Sequence, residues 1–194
     1  MSNQILENKN KLDKLINIVK NNIKLFIIII SLAIISLIVT FFINLNLEKK
    51  NEEISEKFNK ANIFLENKKN DDALNILKKI IENKHKFYSP LSLNLIVEKK
   101  LIENQKEVIN LFNEVILIKG VNKDNKNLIK IKKALFIMNT ANEDEILEIL
   151  NPIINSKSLW RSQAINLVSD YFLNRGEDLK SKQFLELLNK EIKN

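Results

Sequence analysis

Hydrophobic residues run without interruption from Leu25 to Ile43, a stretch that holds no charged residue, proline or glycine. A helix rises about 1.5 Å per residue, so a run of this length nearly spans a hydrocarbon core of about 30 Å. Its polar side chains, Ser31, Ser36 and Thr40, can bond back to carbonyls of their own helix. The pattern predicts a transmembrane helix, and a buried core helix is the alternative.

The span is expected to be an uncleaved signal anchor over residues 25–46, because the run is long for a signal peptide and no small-residue cleavage site follows it. A helix of this kind presents apolar side chains to lipid along its whole length. We expect the membrane-anchoring residues to include Leu25, Phe26, Ile30, Ile34, Leu37, Phe41 and Ile43.

Residues 1–24 form a polar segment before the span. Apolar residues recur in it at helical spacing, which predicts a short amphipathic helix at the membrane surface, with a frayed tail as the alternative. Five lysines precede the span and four follow it closely, so the positive-inside rule favours a cytoplasmic N-terminus only slightly. The apolar positions of this segment are Leu12, Leu15, Ile16, Val19 and Ile23.

Beyond residue 47, short polar segments interrupt the helical pattern at regular intervals. Their centres, Asn70, Asn104, Asn142 and Gly176, lie 34, 38 and 34 residues apart. Helix pairs with a 34-residue period are characteristic of tetratricopeptide repeats. With two Gly and two Pro, the chain also lacks the turn residues of a fold with many short strands. The sequence therefore predicts an all-α fold, in which an antiparallel helix-hairpin solenoid of about four hairpins occupies residues 47–194.

Small and aromatic residues occupy matching offsets in three of the four units, and the second unit fits poorly. Two helices cross closely where the residue is small, so a bulky side chain there would force them apart. In the first unit the spacing between the four positions is three, nine and four residues, and the third unit repeats it. We expect the repeats to pack through Ala61, Phe64, Ala73, Leu77, Ala134, Ile137, Val168 and Tyr171.

Several residues mark where helices begin and end. Asp71 or Asp72 is a suitable N-cap for the second helix of the first unit. Ser89 is a suitable N-cap for the next helix, with Pro90 at its first position. Gly176 lies where a helix end favours a left-handed residue.

The formal net charge is +7, but lysines and glutamates alternate along the chain. No basic stripe interleaved with aromatic residues is present, so we expect solvated helix faces and no nucleic-acid partner. A cytosol-facing anchor that recruits nucleic acid or ribosomes is the alternative. The absence of cysteine excludes disulfides, thiolate metal sites and cysteine nucleophiles.

Candidate catalytic groups are few. His85 is the single histidine and has no evident partner for metal or acid–base chemistry, so a solvated loop residue is expected. The acidic residues Glu143, Asp144 and Glu145 are expected to interact with a helix dipole rather than hold a cation. Two isolated glycines supply no phosphate-binding loop. We therefore expect no catalytic, cofactor-binding or metal-binding residues, and a protein that is not an enzyme.

The C-terminal segment 150–188 contains three distinctive motifs: Leu150-Asn151-Pro152, the pair Trp160-Arg161, and Gly176-Glu177-Asp178. With these motifs the segment resembles the YfgM-like family of ancillary SecYEG translocon subunits, in an alphaproteobacterial form, and the extra Glu177 departs from the family pattern. The resemblance implies an inner-membrane protein with a cytoplasmic N-terminus and periplasmic repeats. It also implies translocon components, periplasmic chaperones or secreted clients as partners, with the bilayer.

The expected function is a membrane-anchored interaction scaffold that assists secretion or folding of envelope proteins. The alternative is a structural assembly factor for cell division or the cell wall that acts through self-association of the repeats. Trp160 and Arg161 are a candidate partner surface, since Trp and Arg are often binding hot spots. The preferred interpretation of Trp160 is structural, as a plug between the third and fourth units beside Pro152.

Overall fold

The computed structural model describes residues 22–189, and every regular element in this range is helical. The predicted amphipathic helix lies outside the described residues except for its last positions, and so does the side chain of Phe26. The described α-helices are α1 (Ile23–Glu66), α2 (Asn70–Glu82), α3 (Tyr88–Glu98), α4 (Gln105–Leu117), α5 (Lys123–Ile137), α6 (Glu143–Ile154), α7 (Arg161–Leu173) and α8 (Asp178–Leu185), followed by a 3₁₀ turn (Glu186–Asn189).

The described chain divides between Glu53 and Ile54 into two compact units, which we call the apolar unit and the helical unit. In the apolar unit every described side chain of residues 22–53 is exposed. Ser31 Oγ donates to the Ile28 carbonyl at 2.8 Å, and Thr40 Oγ1 donates to the Ser36 carbonyl at 3.0 Å. The hydroxyls of Ser31 and Thr40 are therefore hydrogen-bonded within their own helix, which lowers the cost of placing them in an apolar environment.

Residues 22–189 contain one helix that is long and apolar enough to cross a membrane. None of its most apolar 18-residue window is buried by other described residues, so it is not a core helix of the helical unit. The predicted anchoring residues other than Phe26 are each at least half exposed: Leu25, Ile30, Ile34, Leu37, Phe41 and Ile43. This arrangement is compatible with a single-pass membrane protein.

In the helical unit each helix from α2 to α8 packs on the next one along the chain. Contacts also join α2 to α4 and α5 to α7, so packing skips one helix in both halves of the unit. Apolar side chains form two core clusters, the first centred on α2–α4 with the end of α1, the second on α5–α7. Phe136 on α5 packs against both clusters and lies 5.9 Å from the ring of Phe112.

The predicted repeat-packing positions lie mostly in these clusters. Five of the eight, Ala61, Ala73, Leu77, Ala134 and Val168, are fully buried. Ile137 and Tyr171 are buried with slight exposure, whereas Phe64 is half-buried with Lys60 and Lys69 over its ring. The small residues at the predicted packing positions are thus buried between helices. Phe64 differs from the other seven positions, because its ring is only half-buried and lies under two lysine side chains.

Two of the predicted helix starts are wrong. Asp71 and Asp72 lie inside the first turn of α2, where Lys69 is the N-cap and no side chain caps the helix. Ser89 lies inside α3, and its buried hydroxyl donates to the Ile80 carbonyl at 2.9 Å, joining α3 to α2. Asp71 and Asp72 instead interact favourably with the dipole of α2, and Ser89 instead makes a tertiary hydrogen bond.

Two residues beyond the last residue of α1, α2 and α3, a lysine adopts the left-handed conformation. Lys68, Lys84 and Lys100 have φ of 59°, 52° and 50°, the region that Gly176 occupies after α7 with φ of 76°. The backbone bonds are those of a glycine-type helix end; for example, Leu101 N–H donates to the Ile96 carbonyl at 3.0 Å. A side chain in this conformation costs about 1–2 kcal/mol.

Replacing Lys100 with glycine is therefore expected to stabilise the protein by about 0.5–1 kcal/mol, because relief of the left-handed strain exceeds the extra chain entropy of glycine. The measurement is the midpoint of denaturant unfolding of the full chain in micelles, followed by circular dichroism. The matched control is Lys99→Gly, where φ is −84° and a loss of stability is expected. Equal effects at the two positions would contradict the assignment of strain to Lys100.

Candidate protein-binding cleft

A cleft of about 540 Å³ opens between α4, α5 and α6. It lies on the second helices of the second and third predicted hairpins, with α5 between them. Four isoleucines lie along it among polar and charged side chains. The lining residues on α4 are Gln105, Lys106, Ile109, Asn113 and Ile116, those on α5 and its end are Lys130, Lys133, Ile137, Thr140 and Ala141, and those on α6 are Glu145, Glu148 and Ile149.

Side-chain hydrogen bonds hold the walls of the cleft together. Gln105 Nε2 at the start of α4 donates to Thr140 Oγ1 at 2.9 Å, in the loop after α5. Lys133 Nζ on α5 donates to Asn113 Oδ1 on α4 at 2.8 Å. These bonds connect α4 to α5 at two levels, so this wall of the cleft is fixed before any partner arrives.

Charges of opposite sign lie on different helices of the cleft. Lys130 and Lys133 are on α5, and the exposed Glu148 is on α6. Within the described part of the chain no ion pair joins Lys130 to Glu148. An apolar strip with basic residues on one side and acidic residues on the other matches an extended or helical peptide segment. It does not bring together a nucleophile, a base and an oxyanion donor.

The acidic cluster of Glu143, Asp144 and Glu145 lies in the first turn of α6, as predicted. Asn142 and Glu145 form a capping box, with both bonds at 2.9 Å. Glu143 accepts from Lys180 Nζ on α8 at 2.7 Å. Among the described residues no group of three His, Asp or Glu side chains is arranged to hold a metal ion.

Lys180 connects the acidic cluster to the start of α8. Its ammonium lies 2.7 Å from Glu143 and 2.8 Å from Glu177, and it stands over the ring of Phe172 at 4.9 Å. Hydrogen bonds to Glu143 first, and then to Glu177, raise the pKa of Lys180 from 10.5 to about 12. The charged form is thus favoured in the folded state.

The interactions of Lys180 with Glu143 and Glu177 are expected to stabilise the folded state fully below pH 10.5. This stabilisation is lost as the pH rises through about 12, because the pKa of Lys180 is higher in the folded state than in the unfolded state. We expect Lys180→Gln to be less stable than the parent at pH 9 and equal to it above pH 12. Denaturant unfolding across this range measures the difference. Lys182→Gln, which removes a charge from the same helix, is the control, and a difference for Lys180→Gln that persists above pH 12 would contradict the pairing.

Arg161 makes two backbone contacts at the junction of the third and fourth predicted hairpins. Its Nε donates to the Ile154 carbonyl at the end of α6 at 3.0 Å, and its Nη2 donates to the Leu187 carbonyl at 2.7 Å. Trp160 is half-buried against the second core cluster. Both side chains therefore contribute to packing at this junction, and their use as a partner surface stays a prediction.

His85 has a structural contact that the sequence did not indicate. Its Nδ1 accepts from the backbone N–H groups of Phe87 and Tyr88, at 3.2 and 3.0 Å, just before and at the start of α3. The side chain is half-buried rather than fully solvated. It therefore satisfies amide donors at the helix start, the role that the sequence assigned to Ser89.

The cleft residues on α4 were not found from the sequence. The repeat consensus is weakest in the second unit, so no packing offset indicated Gln105, Ile109 or Asn113 as wall residues. The sequence feature that could have located α4 is Asn104, a favourable N-cap residue. Its Oδ1 accepts from the N–H groups of Lys106 and Glu107 and fixes where α4 begins.

Comparison of this chain with family models, with curated proteins and with solved structures found no match. The resemblance of residues 150–188 to the translocon family therefore stays a prediction from the sequence.

Proposed function

We propose that this protein is a single-pass membrane protein whose helical unit binds other proteins. The observation that carries the proposal is the long apolar first part of α1. Its most apolar 18-residue window is not buried by any other part of the described chain. Exposure of so much apolar surface to water would be costly, at about 25 cal/mol per Å². A lipid environment removes that cost, and the helical unit then provides a cleft suited to a peptide segment.

The helical unit is proposed to be a degenerate tetratricopeptide-like solenoid. Three features support this: consecutive helix packing, the contacts that skip one helix, and polar turns at a period near 34 residues. The burial of Ala61, Ala73 and Ala134 agrees with close helix crossings at the repeat positions. The cleft on α4–α6 is the surface we assign to a partner.

The partner is proposed to be a component of the Sec translocon, a periplasmic chaperone or a secreted client. Support comes from the resemblance of residues 150–188 to the YfgM-like family, including Trp160-Arg161 beside Pro152. In this proposal the N-terminus is cytoplasmic, the helical unit is periplasmic, and the protein acts by binding, without catalysis. Anchoring in the membrane raises the effective concentration of the unit near other membrane proteins.

Photo-crosslinking in intact membranes tests the partner. A photoreactive amino acid in place of Glu148 lies in the cleft, and the same residue in place of the exposed Lys79 on α2 is the matched control. We expect translocon components, chaperones or secreted clients to crosslink at position 148 and not at position 79. Recovery of septal or wall enzymes alone would refute the translocon assignment and leave a binding scaffold of another kind.

A reporter fused after Asn194 tests the orientation. A fusion that is active only when periplasmic, such as a phosphatase that requires disulfides, is expected to be active. Activity of a cytoplasmic reporter at the same position would exclude periplasmic chaperones and secreted clients as partners.

A further inference from the structure

Three loops of the helical unit lie side by side at one end of its helices. They are the α2–α3 loop (83–87), the α4–α5 loop (118–122) and the α6–α7 loop (155–160), and together we call them the loop row. A Cβ on Gly120 would lie 3.7 Å from Cβ of Lys86, so the first two loops are in contact. Ser158 Oγ donates to Asp124 Oδ1 at 2.9 Å and accepts from Asn127 Nδ2 at 3.0 Å, which connects the third loop to the start of α5.

The loop row is basic and carries protruding apolar side chains. Its lysines are Lys84, Lys86, Lys119 and Lys157, and the same loops contain no Asp or Glu. A large apolar side chain in or beside each loop is exposed: Phe87 by 57%, Leu117 by 77% and Leu159 by 80%.

The opposite ends of the helices have a different charge pattern. The loops there, 67–69, 99–104, 138–142 and 174–177, contain Glu103 and Glu177 together with five basic residues, Lys68, Lys69, Lys99, Lys100 and Arg175. A carboxylate also lies in the first helix turn that follows each of these four loops, including Glu107 on α4. The others are Asp71 and Asp72 on α2, Glu143, Asp144 and Glu145 on α6, and Asp178 on α8. Counted in the same way, the loop row has one carboxylate, Asp124 in the first turn of α5, which accepts from Ser158. The loop row is therefore less acidic than the loops at the opposite ends of the helices.

Lysines beside exposed Phe and Leu side chains match the chemistry of an anionic lipid interface. Lysines are attracted to acidic headgroups, while apolar side chains enter the boundary of the acyl chains. Each lysine close to such a surface is worth about a fivefold change in affinity, and the effect is screened by salt. Scattered single apolar residues need no explanation, but three of them on adjacent basic loops form one surface.

A short covalent path joins the apolar run to the helical unit. Ten residues lie between Ile43 and Ile54, so chain length alone limits the distance between the end of the apolar run and the start of the helical unit to about 40 Å, in whatever direction. Beside the loop row, Tyr88 Oη donates to Ser55 Oγ at 2.7 Å. The loop row thus adjoins the residues at which the chain enters the helical unit.

We propose that the loop row is a second, reversible membrane contact that binds anionic phospholipid headgroups. The proposal rests on the membrane anchoring proposed above. It gives the chain two attachments of different kinds: an apolar helix that is insensitive to salt, and a basic surface that depends on lipid charge and ionic strength.

The test uses the full chain in lipid nanodiscs. Because the chain has no cysteine, Asn155→Cys places one dye on the loop row and Asn139→Cys places one on an opposite loop as a matched probe. Discs contain phosphatidylcholine alone or an equal mixture with phosphatidylglycerol, and a small fraction of lipid carries a headgroup nitroxide quencher. We expect dye 155 to be quenched several-fold more in the anionic discs at low salt, with the difference lost at high salt, and dye 139 to be unchanged.

Charge variants identify the lysines responsible. Replacing Lys84, Lys86, Lys119 and Lys157 by Gln is expected to abolish the lipid-dependent quenching, whereas replacing Lys68, Lys69, Lys99 and Lys100 by Gln leaves it intact. Equal helicity of both variants by circular dichroism excludes unfolding as the cause. Quenching that is independent of lipid charge, or equal losses in the two variants, would overturn the proposal, as would protection of position 155 by added RNA but not by lipid. A chain that fails to enter nanodiscs at all would instead refute the membrane anchoring.

Discussion

Replacing Ile30, Ile34 and Ile38 with lysine is expected to release the protein from membranes. The three positions lie at helical spacing along one side of the apolar run. The run contains fifteen Leu, Ile, Phe and Val residues, which favour insertion by about 5–9 kcal/mol in total on an insertion scale. Each central lysine opposes insertion by about 2.5–3.5 kcal/mol, so three of them outweigh the apolar residues that remain.

Alkaline carbonate extraction followed by sedimentation measures this effect. The parent chain is expected in the pellet and the triple lysine variant in the supernatant. Ile30, Ile34 and Ile38 changed together to leucine is the control, because it keeps the apolar surface and should stay in the pellet. A lysine variant that remains in the pellet would show that lipid does not cover this helix, and a protein partner would become the explanation for its exposure.

Phe172→Ala is expected to cost about 3–5 kcal/mol of unfolding free energy, the largest loss for a single substitution in the helical unit that we predict. Phe172 on α7 is fully buried in the second core cluster. Its ring stacks on Phe184 of α8 with centroids 5.5 Å apart and meets Tyr171 edge-on at 5.5 Å. Truncation removes the buried ring, the stacked contact and the surface below Lys180, and leaves a cavity between α7 and α8.

Thermal unfolding of the full chain in micelles, followed by circular dichroism, should show a fall in midpoint of roughly 10–20 °C. Leu173→Ala is the matched control, since Leu173 is the next residue on α7 but is 54% exposed. We expect it to cost less than about 1 kcal/mol. Similar shifts for the two variants would mean that α8 does not pack over Phe172 in solution.

The sequence predicted the helices well because their period and turns are local properties. Polar turns centred on Asn70, Asn104, Asn142 and Gly176 separate helices in the structure, and Gly176 has the positive φ that was predicted for it. Helix starts were predicted less well, because Ser89 bonds to the Ile80 carbonyl across a helix pair and His85 takes the amide donors. A sequence pattern does not reveal which of several polar residues near a helix start faces a neighbouring helix.

The surfaces could not be predicted for a related reason. The cleft depends on the relative position of α4 and α6, residues about 40 apart in sequence that share no local pattern. The loop row depends on three loops that only the packing order brings together, as Lys86 beside Gly120 illustrates. Arg161 was noticed as a distinctive residue, but its two carbonyl acceptors, Ile154 and Leu187, lie 7 and 26 residues away.

The ring of Phe136 has a consequence for how the helical unit opens. It is packed against both core clusters, and the cleft above α5 is walled by α4 from the first cluster and by α6 from the second. A peptide in the cleft would therefore contact both halves at once and oppose their separation. Slowed amide hydrogen exchange would then extend over α2–α7, well beyond the contact itself, so that occupancy of one small cleft would govern the cooperativity of the whole unit.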